Sequence, residues 1–158
     1  MPTNADLQNY SYRGARAMIL MHERAMQEFI ETWRKAKRAG VKLPQTDDPD
    51  YASMEALLFH VLRAARGYMV WICDQLGLPD PAIAPPPPLE EVEAEADEYL
   101  AHLNARWRLP LAAIDEEAML LRTFKSRWNA DYCVEGMLEH ALAHPMRHGF
   151  QLEEIMES

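Results

Sequence analysis

The sequence has little cysteine and no uninterrupted apolar run of 18 residues. Its two cysteines, Cys73 and Cys133, are too few for a disulfide framework, which favours free thiols and a cytoplasmic protein. A membrane-spanning helix needs about 20 mostly apolar residues, and no charged-then-apolar leader opens the chain. We therefore expect neither a membrane span nor a signal peptide.

Basic residues are also fewer than acidic ones. The 158-residue chain carries 16 lysine and arginine residues against 25 aspartate and glutamate residues, a formal net charge of −9 at pH 7. Nucleic acids and anionic membranes attract basic surfaces, so this balance argues against both as partners. The length predicts a single domain over residues 1–158, with a core large enough to fold without a disulfide or a metal.

Apolar residues recur at three- and four-residue intervals along most of the chain, which predicts amphipathic helices. The first helix is expected over residues 6–39, with Gly40 as the residue that follows its end. Ser53 is a suitable N-cap for the second helix, which is expected to close at Gly77.

A proline-rich stretch, residues 77–88, follows the second helix. It predicts a stiff, extended connection within the domain. The third helix is expected to begin at Leu89 and to end before Pro110. Residues 109–129 show little periodicity, apart from a short helix expected after Asp115.

The last helix is expected to be capped by Asn129 or Asp131 and to run to about Met156. No segment alternates apolar and polar residues in the manner of a half-buried strand. Four amphipathic helices without strands predict an all-α fold, an antiparallel four-helix bundle.

Three of the six histidines lie four residues apart in the last helix, at His140, His144 and His148. Four residues advance about 400° around a helix, so the three rings fall on one side of it. His144 and His148 lie within the apolar arc, whereas His140 lies roughly 60° from its centre. Two imidazoles one turn apart can hold one divalent ion. Pro145 predicts a local kink between these two rings.

A third ligand is expected from another helix. His60 lies beside the apolar arc of the second helix and ranks first, His22 on the core face of the first helix ranks second, and His102 ranks last. The sequence has no Glu-x-x-His repeats on paired helices and no H-E-x-x-H, which disfavours a di-iron carboxylate bundle and a metalloprotease. Cys133 is about 16 Å from His144 along the helix and is too distant to share its ion.

These histidines resemble those of the DinB/YfiT-like metalloenzyme superfamily, whose last-helix motif commonly reads HxxxHRGQ. The corresponding run here is His144-Pro-Met-Arg-His148-Gly-Phe-Gln151, which departs from the motif at its Gly-Phe pair. The resemblance covers nearly the whole chain in helix order and ligand placement. It implies an antiparallel four-helix bundle in which His60, His144 and His148 bind one divalent ion, most often zinc or nickel, and it implies a homodimer.

The resemblance also implies a metal-dependent enzyme that acts on a small-molecule substrate. The implied activity is a thiol-dependent S-transferase that uses a low-molecular-weight thiol such as mycothiol, bacillithiol or glutathione, or a related hydrolase. Gln151 and His140 are candidates to orient the ligands or to handle protons. Two alternatives stay open. One is a non-catalytic metal-binding stress or interaction protein, with His22 or His140 as fourth ligand; the other is a helical dimer without an ion.

Overall fold

The computed structural model describes residues 7–158, and this part of the chain is mostly helical. It contains five α-helices and two short strands: α1 (Arg13–Arg38), α2 (Met54–Gln75), α3 (Val92–Trp107), α4 (Glu116–Leu120), β1 (Thr123–Lys125), β2 (Asp131–Cys133) and α5 (Val134–Glu157). Helix α1 packs mainly against α5, and α2 contacts both α3 and α5. The predicted all-α class is confirmed.

Two buried tryptophans connect α2 to its neighbours. Trp33 of α1 donates its indole N–H to the carbonyl of Met54 at 2.7 Å, and Trp107 of α3 donates to the carbonyl of Ala65 at 3.0 Å. Both side chains are almost completely buried. A buried indole N–H requires an acceptor, so these two bonds set how α1 and α3 lie against α2.

The predicted end of the first helix is confirmed, but its start is not. Gly40 has φ +70°, the left-handed conformation expected of the residue that follows a helix. The helix begins at Arg13, well after residue 6, which itself lies outside the described residues. In the preceding segment, Ser11 donates its N–H to the carbonyl of Ala112 at 2.9 Å. A tertiary hydrogen bond therefore replaces the helical ones there.

Helix α2 has the predicted ends. Ser53 Oγ accepts a hydrogen bond from the N–H of Ala56 at 3.0 Å, and Gly77 has φ +66°. Among the described helices, α2 is long and apolar enough to cross a membrane by length and composition alone. Of its most apolar 18-residue window, 56% is buried inside the protein, and a core helix meets the same criterion.

The proline-rich connection after α2 contains neither helix nor strand through Pro88. Side chains of α2 and α3 hold it in place through its carbonyl groups. Arg106 donates to Pro81, Arg66 donates to Ile83 and Tyr99 donates to Ala84, each at 2.8 Å. The segment is therefore packed against the helices that it connects.

The remaining helix ends agree with the prediction to within a few residues. Helix α3 begins at Val92, three residues after Leu89, and ends before Pro110. The short helix expected after Asp115 is present as α4, and Asp115 caps it by accepting from the N–H of Ala118 at 2.9 Å. Helix α5 extends one residue past Met156.

The expectation of a chain without strands is wrong. β1 and β2 form an antiparallel hairpin in which Lys125 lies opposite Asp131. Asn129 has φ +66° in its turn, a conformation that asparagine tolerates well. Neither Asn129 nor Asp131 therefore caps α5; Cys133 does, through its Sγ and the N–H of Gly136 at 3.3 Å. Strands of three residues are too short to show an alternating pattern.

His22 of α1 lies in the core. Its side chain is 1% exposed, and neither ring nitrogen has a hydrogen-bond partner among the described residues. The ring stacks on Trp107 with 3.8 Å between ring centroids and 3° between planes. Burial lowers the pKa of His22 from 6.5 to about 3. The ring is therefore neutral at pH 7 and is held by packing alone.

The free energy of unfolding is expected to fall with acidification because of His22. In the unfolded chain this histidine gains a proton near pH 6.5, whereas the folded chain resists protonation down to about pH 3. The contribution of neutral His22 to the free energy of unfolding is therefore complete above about pH 6.5. It decreases as the pH falls, by up to about 1.4 kcal/mol per pH unit. His22→Phe keeps a stackable ring without titratable nitrogens, so urea unfolding should show a shallower loss of stability between about pH 7 and about pH 5. Parallel profiles for the two proteins would contradict this prediction.

Candidate metal centre

Three histidines from two helices meet in the structure. His60 of α2 and His144 and His148 of α5 each offer one ring nitrogen, and these three atoms lie within 4.8 Å of one another. Nε2 of His60 lies 3.0 Å from Nε2 of His144. The rings face one another edge to face, with centroid distances of 4.8 to 5.3 Å. We refer to His60, His144 and His148 as the three-histidine cluster.

The cluster arises from helical spacing on one side and helix packing on the other. The four-residue interval places His144 and His148 on the same face of α5, and that face packs against α2. His144 is 6% exposed, while His60 and His148 are partly buried. Helix α5 continues through Pro145, and the kink expected there stays a prediction.

The local environment disfavours protonation of all three rings. Burial is the largest cause, and it lowers the pKa of His144 to about 3, with smaller contributions from His148 and His60. Burial also lowers the pKa values of His60 and His148, although Asp50 and Gln151 respectively oppose the shift. Neutral imidazoles have a free lone pair, which is the form that binds a metal.

Two of the rings have a side-chain oxygen close to Nδ1. Nδ1 of His148 lies 3.1 Å from Oε1 of Gln151, and the same oxygen accepts a hydrogen bond from the Tyr51 hydroxyl at 3.3 Å. Nδ1 of His60 lies 3.0 Å from Oδ2 of Asp50, although the carboxylate is off the direction of a good hydrogen bond. Because the Gln151 amide oxygen can accept from Nδ1–H, Nε2 of His148 carries the lone pair. The nearby negative charge of Asp50 favours the same position of the proton in His60.

The third ring lacks such a support. Nδ1 of His144 is buried and has no hydrogen-bond partner among the described residues. A ring that gives its Nε2 lone pair to a cation carries its proton on this unsupported atom. The cost of that buried N–H must be offset by the metal–nitrogen bond.

The donor set fits one divalent cation, and so does the separation of His60 and His144. Nitrogens bound to zinc lie about 2.0–2.1 Å from the ion, which places two neighbouring ligand atoms roughly 3 Å apart, as His60 and His144 are. Three neutral imidazole nitrogens without thiolates suit zinc, nickel, copper or iron. The three-histidine cluster can therefore hold a metal ion.

An open cleft leads to the cluster. It has a volume of about 530 Å³, and we call it the histidine cleft because all three histidines line it. Asp48, Asp50, Arg147 and Glu154 contribute charged groups to its wall. A cavity of this size can admit a small molecule to the side of the cluster that faces solvent.

The other histidines considered as ligands or supports lie elsewhere. His140 stacks on Trp128 with a centroid distance of 4.7 Å and an angle of 28°, and it makes edge contacts with Tyr68 and Tyr132. His22 stacks on Trp107 in the core, and Nε2 of His102 accepts from the N–H of Ala84 at 2.9 Å. The structure therefore separates His140 from His144 and His148, as the helical wheel predicts.

Neither cysteine belongs to the cluster. Cys73 is buried, and burial raises the pKa of its thiol to about 11. Cys133 uses its sulfur to cap α5.

Sequence reasoning missed Asp50 and Tyr51. Both belong to a 3₁₀ helix, Pro49–Tyr51, in the loop between α1 and α2. Asp48 caps this helix by accepting from the N–H of Asp50 at 2.9 Å. The run Asp-Pro-Asp predicts a turn, but no periodic pattern places its side chains beside histidines of α2 and α5.

No family model matches the sequence, and no curated protein or solved structure is significantly similar to it.

Asp50→Asn is expected to weaken cobalt(II) binding to the cluster by about tenfold, because the neutral amide stabilises the Nδ1–H of His60 less than a carboxylate does. Titration of metal-free protein, followed by the absorption of bound cobalt, measures the affinity. Asp47→Asn is the matched control, since Asp47 is exposed in the same loop. Equal affinities for the two variants would show that Asp50 does not support the ligand.

Proposed function

We propose that the chain binds one divalent metal ion, zinc or nickel, through His60, His144 and His148 and uses it in a reaction on a small molecule. The observation that carries the proposal is the convergence of three imidazoles from two helices at one point. Without a shared proton or cation, the lone pairs of two Nε2 atoms at 3.0 Å repel each other. A cation bound by all three rings satisfies them together.

The resemblance to the DinB/YfiT-like superfamily supports the same assignment. Its last-helix spacing corresponds to His144, His148 and Gln151, and its helix-2 ligand corresponds to His60. On this proposal α1, α2, α3 and α5 form the antiparallel four-helix bundle of that superfamily. The contact between Gln151 and His148 is consistent with the glutamine at the end of the motif acting as a support for the ligand.

An open site supports the enzyme rather than the structural alternative. Structural zinc sites are usually closed by four protein ligands, whereas catalytic sites keep a position for water or substrate. Among the described residues, no cysteine, carboxylate or fourth histidine joins the cluster, and the histidine cleft reaches it from solvent. When bound, the metal supplies a Lewis acid that lowers the pKa of a thiol or a water at the open position.

The surrounding residues of the chain have distinct roles in this proposal. Asp50 and Gln151 hold the rings of His60 and His148 in their orientations. Arg147 lines the histidine cleft and makes no ion pair among the described residues, so it can bind a carboxylate of an incoming thiol. We propose a thiol-dependent S-transferase as the activity; hydrolysis, in which the bound group is water, is the related candidate.

Elemental analysis of protein purified without an affinity tag tests metal binding. About one zinc or nickel ion per chain is expected for the wild type. His144→Ala and His148→Ala should lose it, and each variant is checked for folding by circular dichroism. His140→Ala, on the same helix but outside the cluster, should retain the ion. A metal-free wild type whose melting temperature responds neither to chelation nor to added zinc would overturn the proposal.

Thiol-transfer activity requires a separate assay with the metal-loaded protein. Mycothiol, bacillithiol and glutathione are each offered with monochlorobimane as the electrophile, and conjugation is followed by fluorescence. We expect one thiol to be consumed at least about tenfold faster than with His60→Ala. Turnover of 4-nitrophenyl acetate without a thiol would instead favour hydrolysis. No metal-dependent turnover in either assay would favour the non-catalytic alternative.

A further inference from the structure

A second cleft lies on the other side of His60. It has a volume of about 480 Å³ and is formed by α2, the β1–β2 hairpin and α5. Its lining combines three arginines with three aromatic rings: Arg63, Arg66, Arg127, Tyr68, Trp71 and Trp128. No carboxylate lines it among the described residues. We call it the arginine cleft.

The arginines of this cleft are poorly compensated by charge. Arg66 and Arg127 make no ion pair in the described part of the chain, and Arg63 reaches Asp50 only at 3.7 Å. The Nε of Arg66 is bound to the carbonyl of Ile83, so its terminal nitrogens are left for another acceptor. Three like charges around one cavity, in a chain with a net charge of −9, form a local site for an anion.

The aromatic rings give the cleft flat apolar walls. Trp128 is 46% exposed, yet its ring is held in place by stacking on His140 and by a hydrogen bond from its Nε1 to the Tyr132 hydroxyl at 3.3 Å. Trp71 is supported by an edge contact with Phe124. A flat apolar group can pack against such rings.

Gly67 keeps space open between these walls. A Cβ atom built on Gly67 would have Nη1 of Arg127 as its nearest neighbour, at 3.5 Å. The Arg127 guanidinium therefore lies close to the backbone of α2 at Gly67, which has no side chain to separate the two. A larger residue at Gly67 would occupy the space beside Arg127.

We propose that the arginine cleft binds a small organic anion with a flat apolar body and that this anion is the electrophilic co-substrate of the metal centre. His60 lines both clefts, so a ligand in the arginine cleft lies beside the three-histidine cluster while the histidine cleft stays free for the thiol. The guanidinium groups bind the acidic group, and the aromatic walls hold the body. The co-substrate role rests on the proposed function; binding of the anion does not require the metal.

Calorimetry with 2-naphthoate as the probe tests the binding. The neutral isostere 2-naphthalenemethanol should bind at least about tenfold more weakly, to metal-free and to zinc-loaded protein alike. Arg66→Gln and Arg127→Gln should each weaken naphthoate binding by about fivefold or more. Arg24→Gln, an equal charge change at an exposed position of α1, should leave it unchanged. Gly67→Leu should weaken both compounds, because it fills the cavity.

Two results would overturn the binding site: equal affinity for naphthoate and the alcohol, or equal loss in Arg24→Gln and Arg127→Gln. Proximity to the metal is tested separately with manganese(II)-loaded protein, in which the proton resonances of bound naphthoate should broaden. Binding without broadening on a loaded protein would overturn the co-substrate role. Failure of the proposed function has a different signature, since elemental analysis would then find no metal while naphthoate binding persisted.

Discussion

The contact between Nε2 of His60 and Nε2 of His144 is the constraint on which the site depends. It joins α2 to α5 across 84 positions of sequence, and it brings together two groups that water would otherwise solvate separately. Burial keeps the rings neutral, so mutual repulsion of positive charges is avoided, and the 3.0 Å contact requires either a proton on one Nε2 or a cation between the two. A divalent cation meets this requirement better than a single shared proton, because it also satisfies His148.

A short turn outside the two helices holds this arrangement in place. The 3₁₀ helix Pro49–Tyr51 directs Asp50 to His60 of α2 and Tyr51 to Gln151 of α5, which in turn contacts His148. Histidines from both helices are therefore contacted, directly or through Gln151, by adjacent residues of one loop. Contacts at one nitrogen of an imidazole influence whether the other nitrogen is available to bind a metal. A loop can supply such contacts because its side chains are not restricted to the directions that a helix imposes.

Charge is distributed unevenly around His60. The histidine cleft carries Asp48, Asp50 and Glu154 along with Arg147, whereas the arginine cleft carries no carboxylate among the described residues. The net negative charge of the chain does not exclude a positive potential inside the arginine cleft, because a cavity wall concentrates the potential of the few groups that line it. Two clefts of opposite character therefore meet at His60.

Local sequence patterns determined several features by themselves. Helical spacing indicated the all-α class and the division of the α5 histidines into a more buried pair and a peripheral His140, and residue types indicated the helix ends at Gly40 and Gly77 and the cap at Ser53. These features depend on neighbours within a few residues, which a sequence displays directly. Tertiary structure decided what depends on distant partners. It brought His60, which the sequence ranks first, into contact with the histidines of α5, brought Asp50 to its ring, and formed the hairpin that carries Arg127 and Trp128 to the second cleft. Helix packing and three-residue strands leave no periodic signal, so the surroundings of the three-histidine cluster are set by the fold.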